Sequence, residues 1–573
     1  MAFFLKKSHI KKGLYLQIYE SFYDPERKQT AHRSYQALGY LDDLVAKGIP
    51  DPLSFYQNEV DRLNEERKQQ KIQDKVRQTS DTTPERFLGY FLLKNINDAL
   101  GVKKYLDILQ ITEDFQFSID QILSSLIYAR TVMPCSKTKT FHEVLPCLFE
   151  PQNFSLSQLY KGLDFIGQEY QKIIEIYNHQ IHFFYPIDTS HTYFDCTNFY
   201  FEIDKEDDLR RKGPSKEKRK DPIVGLGLLL DANQIPINMK IFPGNQSEKP
   251  VIREVIDSLK RTSQVEGRTI QVADKGLNCA QNIVHALRQK DGYIFSKSVK
   301  TLPKTEKTWV LLDQDYITIQ DTDGTVLYRM KECVDDFPYT IEDEDGKRKI
   351  VKLREKRVVT FNPTLAKKKR FEILRQVEKA HALCASAAKR AEFGDSAKYV
   401  TFKSTRNGET TDDKVKTELN TKAVEEDLAL AGYNLLVTSE IQMPASQIYS
   451  AYHNLWRIEE SFRIMKSQLD ARPVYLQKES TITGHFLICY LSVLLLRILQ
   501  FKILDNQYSS EELLNFIKDF RTMKISDRKY INISRNGDFV KALIDRTGLP
   551  LSNYFLSSGD IKKMLSHRFN MRA

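Results

Sequence analysis

The sequence predicts a mixed α/β protein: a sheet flanked by helices, interrupted by a β-rich insertion and preceded by a small β-rich module and a helical region. Three observations predict it. Residues 191–299 alternate in the order strand, strand, strand, helix, strand, helix, strand, which is the order of a mixed sheet covered by helices. Residues 300–430 break that order with hairpin signals and a basic helix, after which GYNLLVTSE (432–440) restores strand character. Residues 84–182 carry helical periodicity throughout.

Whole-chain properties bound the function. A length of 573 residues exceeds one ordinary core, so several domains are expected. The balance of 86 Lys and Arg against 76 Asp and Glu leaves +10, which favours an anionic partner, nucleic acid first. Seven scattered cysteines without a CxxC pair read as reduced thiols, neither a disulfide frame nor a zinc site. The start, MAFFLKKSHIKKG, has no apolar signal region, and the run FLICYLSVLLL (486–496) is shorter than the ~20 residues a bilayer span needs. That run reads as a buried core helix in a cytoplasmic protein without a membrane partner.

Each element has a local reason. Residues 1–57 form a basic β-rich module suited to DNA, with GLYLQIYESFYD alternating and Lys6, Lys7, Lys11, Lys12 and Arg33 around it. Residues 58–185 begin with a charged, solvated helical connector (58–78) and continue as a helical region for binding DNA ends. There His179 and His182 stand i,i+3 without a third ligand and read as structural. Residues 186–299 hold the first part of the core, in which HTYFDCTNFYFE (191–202) is a strand by its aromatic and β-branched content. Two strands at 221–245 turn at Asp231–Gln234, and RTIQVAD (268–274) ends in Asp274-Lys275-Gly276. Residues 300–430 are the insertion, with turn dipeptides Asp323-Gly324 and Asp345-Gly346 and a basic helix at 367–393. Residues 431–505 complete the core, and 506–573 form a C-terminal helical region, a candidate for dimerisation.

Three carboxylates stand out. Asp195 lies inside an aromatic strand, where a buried carboxylate is costly unless hydrogen-bonded, paired or metal-bound. Asp274 ends a strand, where turn chemistry alone would also place it. Glu459 lies in AYHNLWRIEESFRIMKSQLDARP (451–473), read as one helix, with Tyr452 and Lys466 seven residues to either side and Arg463 at i+4. At about 100° per residue, steps of seven keep Tyr452, Glu459 and Lys466 on one stripe, which on its own is also the pattern of a solvated ion-pair face. If the three acids converge, their hard oxygens suit Mg²⁺ or Mn²⁺, and two such ions about 4 Å apart serve in-line phosphoryl transfer.

With these residues in order, the chain resembles the DDE transposases of bacterial insertion sequences, in the subgroup with a β-rich insertion and the signature Tyr-x2-Arg-x3-Glu-x6-Lys. The resemblance runs through YFDCTNFYFE, FPGNQSEKP, VADKGLN, YHNLWRIEESFRIMKSQLDARPVYL and GHFLICYLSVLLLRIL, with weaker likeness in SYQALGYLDDL and RTVMPCSKTKT. It implies an RNase H-like core and a metal triad of Asp195, Asp274 and Glu459, holding two Mg²⁺ or Mn²⁺ ions. It also implies phosphate contacts from Tyr452 and Lys466. The signature Arg is Leu455 here; Arg457 lies about 160° from Glu459 around a helix, so Arg463 is the cation placed to substitute. Glu460 is the second choice for the third carboxylate.

The resemblance further implies excision and integration by water-driven nicking and attack of the freed 3′-hydroxyl. Double-stranded DNA, as element ends and target, is then the partner, and synapsis of two ends implies at least a homodimer. Where such enzymes pass through a hairpin, an aromatic in the insertion holds an extruded base; Trp309 is the candidate, a strand core residue the plainer reading. The basic stretch LRRKGPSKEKRK (209–220), with Arg210, Arg211, Lys212, Lys218, Arg219 and Lys220, is a candidate DNA contact or a solvated loop. Two other functions stay open: a catalytically dead repressor derived from a transposase, and a metal-dependent nuclease that does not rejoin ends.

Overall fold

A computed structural model describes residues 2–24, 29–76, 83–217, 220–262, 264–265, 267–342, 347–385, 390–403 and 416–570. The chain divides into two compact units, 1–83 and 84–573.

The first unit is an antiparallel sheet of β1 (Phe3–Ile10), β2 (Gly13–Asp24) and β3 (Gln29–Tyr40), with the helix Pro52–Val76. Alternation on β2 buries Leu16 and Ile18. The helix was expected as a solvated connector; instead it packs on β1. Val60 is buried, and Asn64 exchanges two hydrogen bonds with the Phe3 backbone, at 2.8 and 2.9 Å. Arg67, one turn on, pairs with Glu20 at 2.6 Å, and Arg33 reaches the same carboxylate at 2.7 Å. Those hydrogen bonds hold the Glu20 carboxyl below its usual range. Val60, Asn64 and Arg67 share one helix face, so a mostly charged sequence still has a packing side.

In the second unit, β4 (Glu85–Phe87) leads into helices. The main sheet then collects β5 (His191–Tyr200), β6 (Ile223–Leu230), β7 (Pro236–Pro243), β8 (Ile270–Ala273) and β9 (Gly292–Lys297). β5, β6 and β7 are antiparallel neighbours, while β8 and β9 run parallel to β5 on its other side. This mixed α/β order is consistent with an RNase H-like core.

The insertion is less separate from that sheet than its sequence suggests. β10 (Ile317–Gln320), β11 (Val326–Glu342) and β12 (Arg348–Phe361) extend it, because β12 pairs with β15 (Tyr433–Thr438), which pairs with β9. The sheet therefore has nine strands in the order β10-β11-β12-β15-β9-β8-β5-β6-β7. The Asp323-Gly324 turn joins β10 and β11; Asp345-Gly346 lies outside the described residues. The basic segment forms the helix Pro363–Ala385, which shares a small core with the hairpin of β13 (Val400–Lys403) and β14 (Lys416–Leu419).

Residues 506–573 are not wholly helical. β16 (Arg521–Ser526), β17 (Lys529–Asn532) and β18 (Phe555–Ser557) form a four-stranded sheet with β4, whose partner lies over 400 residues away in sequence. Local pattern cannot reveal a pairing that distant.

The centre of the second unit is the helix Glu479–Ile498, continued by a π turn to Ile503 and buried from Thr481 to Gln500. The apolar run at 486–496 is thus part of a longer helix, long and apolar enough by composition to cross a membrane, but its apolar window is wholly buried inside the protein. It lies close against the helix Leu156–Gln168 because Gly167 and Gly484 face each other's backbone: a Cβ on Gly167 would sit 1.6 Å from the Ser480 carbonyl oxygen.

Candidate active site

β5 and β8 are parallel neighbours in register Phe194↔Ala273, so Asp195 and Asp274 occupy the next positions on adjacent strands, which run about 4.8 Å apart. The sheet itself brings the first two acids together. Asp195 is partly buried, and burial pushes its carboxyl up to about 6, against the pull of Lys216. Its Oδ1 accepts from the Cys196 backbone N–H at 2.8 Å. Lys216 Nζ stands 3.8 Å from Asp195 Oδ1 and 4.0 Å from Glu248 Oε1, and donates to the Cys196 carbonyl oxygen. An ammonium ringed by two carboxylates and a carbonyl marks this as a place that stabilises positive charge. A cavity of about 390 Å³ opens beside it, lined by Lys216, Glu248, Asn198, Lys249 and Gly276 among others.

The segment carrying Glu459 is not one helix. The helix Ala445–His453 ends at Asn454, a second spans Trp456–Arg463, and a π turn continues through Ile464–Gln468. The Leu455 and Arg457 N–H groups bond three residues back, to Tyr452 and Asn454, at 3.1 Å each, tightening the junction. Tyr452, Glu459 and Lys466 therefore do not lie on one stripe of an ideal helix. The Tyr452 phenol instead donates to Asp274 Oδ1 at 2.8 Å. Burial first, then the Asp274 and Glu459 charges, push that phenol upward. Glu459 itself is exposed.

Glu460 is consumed elsewhere. It is buried, 2.9 Å from Arg497, 3.0 Å from Arg457 and 2.9 Å from Ser510 Oγ. Arg457 also lies over the Trp456 ring, so it is engaged away from Glu459. Leu455 packs against the core at the signature's Arg position, and Arg463 is exposed.

Lys466 is half-buried, 3.4 Å from Glu217 and 5.3 Å from the centre of the Phe199 ring. Burial is the main cause that lowers its pKa. Arg472 grips the same Glu217 with two hydrogen bonds, of 2.6 and 2.5 Å, and lies over Tyr200. In the basic loop, Arg210 pairs with Asp207 at 2.5 Å and Arg211 with Asp208 at 3.2 Å, while Lys212 and Lys220 are exposed. Lys218 and Arg219 lie outside the described residues.

Trp309 sits on the short helix Lys304–Leu311, not in a strand. Lys331 Nζ lies 5.0 Å from the centroid of its ring. Sequence reasoning missed Lys216, Glu217, Glu248 and Arg472. Glu248 lay in view within FPGNQSEKP, but nothing local separates these charges from ordinary loop charges.

Among the described residues no three His, Cys, Asp or Glu side chains converge closely enough to hold an ion as the chain stands. The donor chemistry nonetheless fits a hard divalent cation: two carboxylates on adjacent strands, the partly buried Asp195 and the Asp274 that Tyr452 holds by a hydrogen bond, with the exposed Glu459 as a further oxygen donor.

A family model described as Transposase DDE domain matches residues 190–495, just over half of the chain. The chain belongs to that family; it is a transposase, an enzyme. No curated protein matches it. Among solved structures, similarity is found to the cryo-EM structure of a piggyBac transposase synaptic complex with hairpin DNA. Identity there is 9%, covering 75% of this chain and 78% of that one at a TM-score of 0.33, too low to carry an argument.

Proposed function

We propose that this transposase excises and integrates a bacterial insertion sequence of the Tyr-Arg-Glu-Lys subgroup, cutting double-stranded DNA at the element's ends and joining the freed 3′-hydroxyl to target DNA. Asp195, Asp274 and Glu459 are the catalytic carboxylates and would hold Mg²⁺ or Mn²⁺, two ions in the working complex. The observation that carries this is the adjacency of Asp195 and Asp274 on parallel strands, with Tyr452 bonded to Asp274 and under the influence of Glu459.

Bound cations would activate the attacking oxygen and stabilise the leaving one. The chain's own groups do the rest. Tyr452 fixes the Asp274 carboxylate by its 2.8 Å hydrogen bond. Lys216 neutralises Asp195 and Glu248 in the free protein. Lys466 and Arg472, which now share the Glu217 carboxylate, are placed to take a DNA phosphate in its stead. Arg463 and the exposed Lys212 and Lys220 face solvent and can add phosphate contacts. Two copies of the chain acting on two ends give a homodimeric synaptic complex.

Purified protein incubated with Mg²⁺ or Mn²⁺ and DNA carrying the element's ends should cleave at those ends. Glu459→Gln should abolish cleavage while DNA binding survives. Cleavage unchanged in that variant would remove Glu459 from the triad. The apolar Leu455 at the signature Arg position favours a second reading, a DNA-binding repressor; end binding without cleavage under either metal would establish it. Cleavage without strand transfer would indicate a nuclease.

A further inference from the structure

The stretch RTVMPCSKTKT (130–140) has no part in the chemistry above, yet it builds a charged cavity. Arg130 ends the helix Ile119–Val132, and Ser136 and Lys137 begin the next turn. Together with Thr138, Tyr160 and His485 they line a cavity of about 480 Å³ whose other wall is Pro473–Leu476.

Lys137 is 5% exposed and Arg130 6%. Lys137 Nζ lies 3.2 Å from His485 Nδ1, and His485 Nε2 lies 3.0 Å from the Ala471 carbonyl oxygen. A carbonyl only accepts, so Nε2 carries the ring proton and Nδ1 receives one N–H of the ammonium. The imidazole is neutral and uses one of the three lysine donors. Arg130 donates to the carbonyls of Cys135, Leu469 and Asp470, at 2.9, 3.4 and 3.4 Å. Among the described residues no carboxylate lines the cavity, and none is among the charges acting on Lys137. Burial and the nearby Arg130 charge depress the Lys137 pKa, the cost of holding two buried cations without an anion.

We infer that this cavity binds a phosphate group of the DNA strand leaving the active site, held by Lys137 and Arg130, with the Thr138 and Tyr160 hydroxyls at its rim. Those hydroxyls already lie 3.1 Å apart. The cavity wall follows directly in sequence from Arg472, which with Lys466 grips Glu217, and Arg210 donates to the Leu476 carbonyl at 3.4 Å. The segment Arg472–Leu476 thus joins the cavity wall to the place where a phosphate would replace Glu217. The inference rests on the reading of the chain as a DNA-cutting transposase.

The test is equilibrium binding of a fluorescent duplex of random sequence over a series of salt concentrations. Lys137→Met should lower the slope of log affinity against log salt by about 0.9, the loss of one phosphate contact. The rim variant Thr138→Val/Tyr160→Phe, which spares the buried cations and so the fold, should bind about two- to tenfold more weakly. Wild-type slope and affinity in a folded Lys137→Met, or wild-type affinity in the rim variant should Lys137→Met not fold, overturns the assignment. Inorganic phosphate, compared with chloride at equal ionic strength, separates the sources. If it raises the melting temperature of wild type but not of Lys137→Met, while the DNA slope is unchanged, the cavity takes free phosphate and the DNA assignment falls. Random-duplex binding does not depend on cleavage, so a failed cavity and a failed catalytic triad are read separately.

Discussion

Glu459 and Glu460 are neighbours whose surroundings give them opposite roles. Glu460 neutralises Arg497, whose side chain is 0% exposed, and also contacts Arg457. Glu460→Gln leaves a buried guanidinium without its anion, and a loss of about 3–5 kcal/mol is expected in urea unfolding. Glu459→Gln, on an exposed group, should change stability by less than about 0.5 kcal/mol. A second residue-scale prediction concerns Asp120, in the first turn of the helix Ile119–Val132, whose carboxyl burial raises to about 6. An ordinary Asp titrates near ~3.9, so the folded state keeps its proton over the window from about 4 to 6. The folded state then binds more protons than the unfolded one, and stability falls as pH rises through that window. Asp120→Asn should match wild type near pH ~4 and exceed it by roughly 1–3 kcal/mol at pH ~8, read from urea midpoints. Equal pH dependence in the two proteins would exclude the effect. At this scale Asp195 was legible because a carboxylate inside YFDCTNFYFE contradicts its surroundings, whereas Lys216, Glu217 and Arg472 look like any surface charge until folding brings them together.

Elements were legible where their determinants are local. The strands β5 to β9 and their helices follow from apolar period and turn residues, and the Asp231–Gln234 turn holds because Asp231 accepts from the Ile235 N–H at 2.8 Å. Three features were not legible: the break at Asn454–Leu455, and two that depend on distant partners, the entry of β12 into the main sheet and the pairing of β16 with β4. The contact between the helices Leu156–Gln168 and Glu479–Ile498 belongs with these, since Gly167 and Gly484 mean little until the helices meet. A Cβ at Gly167 would fall 1.6 Å from the Ser480 oxygen and 2.8 Å from the Gly484 nitrogen, both backbone atoms that cannot swing aside. Gly167→Ala should force the helices apart at a cost of about 1–3 kcal/mol, seen as a lower melting temperature. An unchanged melting temperature would mean that the two helices do not approach this closely.

For the whole molecule, the division at residues 83 and 84 and the closure of the second unit's end on that unit's own first strand lead to opposite outcomes on truncation. The second unit has its own continuous core, in which Leu513, Leu514, Ile517 and Met564 pack with the same cluster as Phe91 and the helix Glu479–Ile498. Its C-terminal strands pair back to β4, and Asn95 Nδ2 donates to the Met564 carbonyl at 2.8 Å. Residues 84–573 expressed alone should therefore unfold cooperatively at the temperature at which that unit melts in the full chain. Ending the chain at residue 505 instead strips β4 of its partner, leaves the buried Asn95 amide unsatisfied and uncovers core side chains, each change destabilising by kilocalories per mole. That truncation should give insoluble or dye-binding, molten protein. If it stayed soluble with a sharp melting transition, residues 506–573 would be an appended region free to serve dimerisation alone; the pairing of β16 with β4 argues that they are first a part of the fold.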